Sequence, residues 1–192
     1  PSSGRVFLFG REVTRLAEYQ RTALGVGRTY QITNVFHNLS VLENVLIAEQ
    51  GTRGQKWILH RPMESFRSKI DLAREKLSFL GLDRRADHPV HQLSYGERRQ
   101  LEIVLALASE PRVLLLDEPA SGLSPAERQR IGEILSRLSR DITVIFIEHD
   151  MDVALGIADW VTVLHQGKII LEAAPEAVRA NSEVREVYFG NV

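Results

Sequence analysis

The sequence predicts an α/β domain with a largely parallel sheet and an inserted helical segment. Short β-branched or apolar runs alternate with longer amphipathic stretches, which is typical of a sheet covered by helices. Two apolar runs end in charged residues, as strands that lead into a ligand site do. A long interval between them has no strand pattern. At 192 residues, the chain is long enough for one core with a smaller appendage.

Six runs are predicted to be strands, from their β-branched and apolar content. They cover residues 5–9, 26–30, 113–116, 143–147, 160–165 and 168–172. The last two flank Gln166-Gly167, a dipeptide that predicts the tight turn of a hairpin.

Residues 32–90 show helical patterns and no strand pattern: predicted helices at 41–48 and 62–80 are joined by a loop at 51–55. We interpret this stretch as a helical subdomain inserted into a core formed by residues 1–31 and 91–192. The alternative is an ordinary crossover connection, which needs fewer helical residues. Two short helices are predicted at the end of the chain, over 175–180 and 182–188.

Composition excludes several kinds of function. Lys and Arg total 24 against 25 Asp and Glu, and a net charge of -1 disfavours a broad nucleic-acid or anionic-lipid surface. The absence of cysteine excludes disulfides, thiolate catalysis and Cys-ligated zinc. No apolar run reaches the roughly 20 residues of a membrane span, so we expect any membrane role to depend on partners.

Charged residues at two predicted strand ends are candidates for chemistry. Asp117 and Glu118 follow four apolar residues, which puts both carboxylates at the edge of the sheet where α/β proteins bind ligands. His149 follows the next strand. The alternatives are an acidic pair that caps the following helix and a purely structural histidine.

Two further positions flank the helical interval. Ser94, Tyr95 and Gly96 precede a strongly helical run, and the start of a helix attracts anions through its backbone N–H groups. Gln31 lies where the second strand meets the interval. The alternatives are a plain Ser N-cap and a solvated loop glutamine.

The order of these motifs resembles the ATPase subunit of ATP-binding-cassette (ABC) transporters. The family's Q-loop corresponds to Gln31, and its signature corresponds to Leu-Ser-Tyr-Gly-Glu at 93–97. Its Walker B motif corresponds to Val-Leu-Leu-Leu-Asp-Glu-Pro at 113–119, and its switch histidine lies in Ile-Phe-Ile-Glu-His-Asp at 145–150. The resemblance implies a P-loop NTPase-like core that binds ATP and Mg²⁺. It covers almost the whole chain.

The resemblance also implies a role for each motif. Asp117 would hold Mg²⁺ through water, with Gln31 sensing the metal and the γ-phosphate. Glu118 would be the general base that polarises the attacking water, and His149 would contact the γ-phosphate. These roles match the needs of phosphoryl transfer.

The signature implies a dimer. Ser94, Tyr95, Gly96 and Glu97 would face the γ-phosphate held by a second ATPase subunit, so that two nucleotides are sandwiched. The family usually has Leu-Ser-Gly-Gly-Gln here, and Tyr95 and Glu97 depart from that pattern. Ser124 likewise stands where the family's D-loop often has Asp.

No G-x-x-x-x-G-K-[ST] motif occurs in the sequence, so the phosphate-binding P-loop is not among these residues. The opening Pro-Ser-Ser-Gly resembles the turn that follows the P-loop helix in the family. We therefore expect a core truncated at its amino terminus that is inactive alone and binds ATP weakly, which a titration of ATP into the 192-residue chain tests.

Four runs point to a subgroup of the family. They resemble the ATPase of branched-chain amino-acid importers, and they are Arg-Thr-Tyr-Gln at 28–31, the signature variant at 93–98, Glu-His-Asp-Met-Asp at 148–152 and Val-Tyr-Phe-Gly at 187–190. The alternatives are a urea or amide importer, a lipopolysaccharide-export ATPase and a non-transport ABC protein. The resemblance implies that the partners are permease subunits in the membrane and, indirectly, a solute-binding protein, and that nucleic acid is not a partner. It also implies that the protein lies peripherally on the cytoplasmic face of the membrane.

Overall fold

The computed structural model of the protein describes residues 3–29, 35–52 and 67–189. Its internal contacts group the chain into two compact units. The first unit comprises Pro1–Leu116 and Ser139–Ile145, and the second comprises Asp117–Leu138 and Phe146–Val192.

The strands of the first unit begin with a small hairpin of β1 (Phe7–Leu8) and β2 (Arg11–Glu12), followed by helix α1 (Glu18–Ala23). Then β3 (Val26–Arg28), β4 (Val113–Asp117) and β5 (Thr143–Ile147) form a sheet in that order, with β3 and β4 parallel. Asp117 at the end of β4 and the last two residues of β5, Phe146 and Ile147, belong to the second unit. The predicted strands at 5–9 and 26–30 are shorter than expected among the described residues, whereas 143–147 matches β5.

Gly27 explains how β3 can lie close to its neighbours. A Cβ at this position would lie 2.7 Å from the Ala106 carbonyl oxygen and 3.0 Å from Pro111 Cγ. The first distance is shorter than real Cβ contacts and the second is tighter than most, so glycine permits this close approach without displacing the neighbours.

The helices of the first unit are α2 (Val41–Thr52), α3 (Arg67–Phe79) and α4 (Tyr95–Leu107). Helix α2 contacts both others, and Val45, Leu77 and Leu101 are fully buried. The predicted loop at 51–55 was wrong at its start, because α2 continues through Gly51. The helix tolerates this glycine although it costs roughly 1 kcal/mol relative to alanine. The predicted helix at 62–80 corresponds to α3 in its described part.

The second unit contains α5 (Pro125–Ser136), α6 (Met151–Ile157), β6 (Val161–His165), β7 (Lys168–Ala173), α7 (Pro175–Ala180) and α8 (Ser182–Val184). Strands β6 and β7 form the predicted antiparallel hairpin, and Gln166 and Gly167 both adopt positive φ in its turn. The predicted helix at 175–180 is α7. The one predicted at 182–188 is a short α-turn that continues as a π-helix, Arg185–Phe189.

The core of the second unit is a cluster of buried aliphatic side chains: Leu155, Val163, Val178 and Val184. They come from α6, β6, α7 and α8, so the end of the described chain is part of the core. Across the described residues, none of the helices has the length and apolar content that crossing a bilayer requires.

Candidate functional site

The predicted carboxylates lie at the end of β4. Asp117 is the last residue of the strand, and Glu118 follows with a φ of 45°. A positive φ is uncommon outside glycine, and such strained residues concentrate at functional sites. The Glu118 N–H donates to the Ile147 carbonyl oxygen at 2.9 Å, so the backbone at the end of β5 supports this conformation.

His149 lies next to Glu118. Its Nδ1 is 3.5 Å from Glu118 Oε1, and the two side chains are 67% and 37% exposed. The structure therefore brings together two residues that the sequence placed 31 positions apart. A carboxylate and an imidazole at this distance can exchange a proton through one water or form an ion pair when the histidine is protonated.

Glu148 touches the same turn, although sequence reasoning treated it only as a neighbour of His149. Its Oε1 accepts a hydrogen bond from the Ala120 N–H at 2.8 Å. Burial raises the pKa of the Glu148 carboxyl, and the hydrogen bond from Ala120 offsets this only in part. The only signal for this contact in the sequence is a charged residue beside the histidine.

Asp150 fixes where α6 begins, directly after His149. Its Oδ1 accepts from the N–H groups of Asp152 and Val153 at 3.1 and 3.2 Å, which makes it the N-cap. Its other oxygen pairs with Arg128 of α5. The hydrogen bond from Val153, followed by the contact with Arg128, holds the pKa of Asp150 below its usual value against the effect of partial burial.

Ser124 caps helix α5. Its hydroxyl accepts from the Glu127 N–H at 3.4 Å, and the Glu127 carboxylate accepts from both the N–H and the hydroxyl of Ser124. This reciprocal arrangement is a capping box, with Pro125 at the first helical position. The hydrogen bonds from Ser124 lower the pKa of Glu127.

The predicted signature lies in the first unit, at the start of α4. Ser94 is the N-cap: its hydroxyl accepts from the Glu97 N–H at 3.1 Å, and its own N–H donates to Glu97 Oε2 at 2.8 Å. Gly96 is buried and Tyr95 is half exposed. The amino terminus of a helix of this length can bind a phosphate.

Glu97 has a structural task that the sequence did not predict. Besides its bond to Ser94, its Oε1 accepts from Arg85 Nε at 2.7 Å. Burial acts to raise the pKa of Glu97, but the bonds from Ser94 and Arg85 and the charge of Arg85 outweigh it and lower that pKa. The Ser-x-x-Glu spacing was the available signal, since it is the pattern of a capping box.

The residues present fit a magnesium nucleotide in part. In the second unit, Asp117 and Glu118 offer the carboxylate oxygens that Mg²⁺ prefers. In the first unit, taken by itself, the start of α4 offers backbone N–H groups to a phosphate. In the described part of the chain, no three His, Asp or Glu side chains group closely enough to hold a metal ion by themselves. Gln31 lies outside the described residues.

Comparisons with known proteins identify the family of the chain. A family model described as "ABC transporter" matches residues 1–121. The chain is 34% identical over 199 residues to the high-affinity branched-chain amino acid transport ATP-binding protein LivG of Escherichia coli K12, covering 99% of this chain and 77% of LivG. It is 33% identical over 192 residues to the lipopolysaccharide export system ATP-binding protein LptB of Acidithiobacillus ferridurans, covering 100% of this chain and 76% of LptB.

A solved structure supports the fold. The ADP conformation of MJ1267, an ATP-binding cassette of an ABC transporter, superposes with a TM-score of 0.80 at 28% identity, covering 98% of this chain and 78% of that one. The predicted α/β ATPase fold is confirmed by this match.

Proposed function

Because the chain belongs to the ABC transporter family of ATP-binding proteins, we propose that it is the ATP-hydrolysing subunit of an importer for branched-chain amino acids. The observation that supports hydrolysis best is the 3.5 Å contact between His149 and Glu118 beside the end of β4. The solute is proposed from the similarity to LivG of E. coli and to BraF of Pseudomonas aeruginosa, a branched-chain amino acid transport ATP-binding protein that is 32% identical over 197 residues.

Each of the candidate residues has a separate proposed role in hydrolysis. Glu118 accepts the proton of the attacking water, as a general base within reach of the reacting group does. His149 keeps the attacking water and the Glu118 carboxylate correctly oriented relative to each other. Asp117 contributes the carboxylate for Mg²⁺, with Gln31 as the proposed sensor, and a bound Mg²⁺ would neutralise charge on the phosphate oxygens.

The signature of the first unit provides a surface for a second ATPase subunit. Ser94, Tyr95 and Gly96 present the start of α4 to the nucleotide bound there, since the helix dipole and its N–H groups favour an anion. Glu97 acts by holding Ser94 in the cap. Permease subunits in the membrane and, through them, a solute-binding protein are the further proposed partners, with the ATPase held peripherally on the cytoplasmic side.

The ATP affinity of the 192-residue chain by itself is proposed to be low. No glycine-rich Lys-Ser/Thr loop occurs in its sequence, and such a loop supplies the lysine and most of the N–H groups that bind the β- and γ-phosphates. Assays of turnover therefore belong in the protein assembled with its proposed permease partners.

The test uses Glu118→Gln and His149→Ala, each measured for ATP hydrolysis and for ATP binding. Loss of a general base lowers the rate by about 100-fold or more, and we expect both variants to lose turnover and keep ATP affinity. His165→Ala, an exposed histidine at the end of β6, is the matched control and should remain active. Normal turnover in Glu118→Gln or His149→Ala rejects the assignment.

The second candidate function is lipopolysaccharide export, favoured by the similarity to LptB over the whole chain. Stimulation of ATP hydrolysis separates the two. The importer requires stimulation by a solute-binding protein loaded with leucine, isoleucine or valine. Stimulation by lipopolysaccharide and not by these amino acids favours the export function.

A further inference from the structure

The backbone N–H groups of the turn formed by Glu118, Pro119 and Ala120 bond to the segment at the end of β5. Pro119 has no N–H, so the turn has two backbone donors. The Glu118 N–H donates to the Ile147 carbonyl oxygen at 2.9 Å, and the Ala120 N–H donates to Glu148 Oε1 at 2.8 Å. Two consecutive residues of one segment therefore anchor both donors.

The second anchor differs from the first because it is a side chain. The bond to Ile147 is accepted by a backbone carbonyl oxygen, so it does not depend on the side chain at position 147. The bond to Ala120 depends on the length and orientation of the side chain at position 148. With both ends of the turn fixed, the strained φ of 45° at Glu118 is maintained and its side chain stays 3.5 Å from His149.

We propose that Glu148 is a positioning residue that holds the Glu118 turn in place by anchoring the Ala120 amide. This role goes beyond the proposed function and depends on it for the kinetic consequence. Glu148 does not touch the reacting atoms. It acts through the backbone of the residue that carries the general base.

The burial and hydrogen bonding of the Glu148 carboxylate are consistent with a positioning role. Its Oε2 is buried and has no hydrogen-bond partner among the described residues, and burial raises its pKa. The hydrogen bond from the Ala120 N–H is made to the other oxygen, Oε1. A glutamine at this position keeps an acceptor oxygen for Ala120 and removes the charge, which separates the hydrogen bond from the electrostatics.

The anchor also influences the loop that follows. The Ser121 N–H donates to the Glu118 carbonyl oxygen at 3.1 Å, and the Leu123 N–H donates to the Ala120 carbonyl oxygen at 3.4 Å. The course of the chain from Glu118 to the start of α5 is therefore built on the fixed position of Ala120. Release of this amide would loosen the general base and the D-loop together.

The test compares Glu148→Ala with Glu148→Gln in two measurements. The first is amide hydrogen exchange at Ala120, which needs no nucleotide. We expect exchange in Glu148→Ala to be about 10-fold faster or more, because the amide loses its acceptor, and exchange in Glu148→Gln to stay near the wild-type rate. Glu176→Ala, an exposed glutamate of α7, controls for general loosening of the unit.

The second measurement is ATP hydrolysis in the protein assembled with its permease. Misplacement of a catalytic group by about 1 Å costs up to about 100-fold in rate, so we expect kcat in Glu148→Ala to fall by about 10- to 100-fold with KM unchanged and Glu148→Gln to restore it. The proposal is overturned if exchange at Ala120 does not change, if kcat is normal despite faster exchange, or if Glu148→Gln is as slow as Glu148→Ala. A wild-type protein without ATP hydrolysis rejects the proposed function instead, and the exchange measurement then decides the anchor alone.

Discussion

Asp150 performs two tasks whose contributions can be separated by substitution. It caps α6 through the N–H groups of Asp152 and Val153, and it pairs with Arg128 of α5. Loss of an N-cap costs about 1 kcal/mol. The ion pair is about one-third exposed at Arg128 and one-quarter exposed at Asp150, so we assign it only about 0.5 kcal/mol.

Asp150→Ala should therefore lose about 1.5 kcal/mol, which corresponds to a decrease in Tm of roughly 3–6 °C for a chain of this length. Asp150→Asn keeps an acceptor oxygen for the cap and should lose only roughly 1–2 °C. Thermal unfolding followed by circular dichroism at neutral pH measures both. Asp152→Ala, whose side chain is 91% exposed, is the matched control and should change little.

The pH dependence checks the same reasoning. The pKa of Asp150 is lowered in the folded protein, so its stabilisation is present above its ordinary pKa and is lost as the pH falls through the folded value. The difference in Tm between wild type and Asp150→Asn should accordingly shrink below about pH 4. A Tm of Asp150→Ala equal to that of wild type, or a loss in Asp150→Asn as large as in Asp150→Ala, refutes the assignment of most of the stability to the cap.

Two further substitutions test packing and burial. Gly27→Ala should lower the free energy of unfolding by about 1–3 kcal/mol, because the new Cβ would lie 2.7 Å from the Ala106 carbonyl oxygen. Urea unfolding measures this, and Gly51→Ala, with open space around its Cβ, should show no such loss. Burial raises the pKa of Glu148 in the folded protein, so ionisation of this carboxyl as the pH rises lowers the stability of the wild type. Glu148→Gln has no such charge, so its stability relative to wild type should increase with pH. Thermal unfolding between about pH 4 and 8 measures that gain, and a constant difference across the range contradicts the burial of the Glu148 carboxyl.

Periodic sequence signals predicted the elements that carry the site. The apolar run before Asp117 and the β-branched run at 143–147 both form strands, as their composition predicts. The approach of His149 to Glu118 follows from neighbouring strands that end at the same edge. Helix α1 was not predicted, since its six residues have no buried face to give a pattern.

Interactions that depend on a single side-chain orientation could not be predicted in the same way. The bond from Ala120 to Glu148 depends on a rotamer and on a turn whose φ is unusual for glutamate. Glu97 was assigned to nucleotide from a family position, and that role stays a prediction. The structure shows its carboxylate bonded to Ser94 and Arg85, which the Ser-x-x-Glu spacing could have indicated.

The aliphatic cluster of the second unit sets a limit on how far the protein can be shortened. Val178 and Val184 are fully buried against Leu155 and Val163. A version ending before α7 would leave the latter two side chains facing water, and such an apolar patch promotes aggregation. Anyone trimming the carboxyl end for crystallisation or expression should keep the chain through Val184.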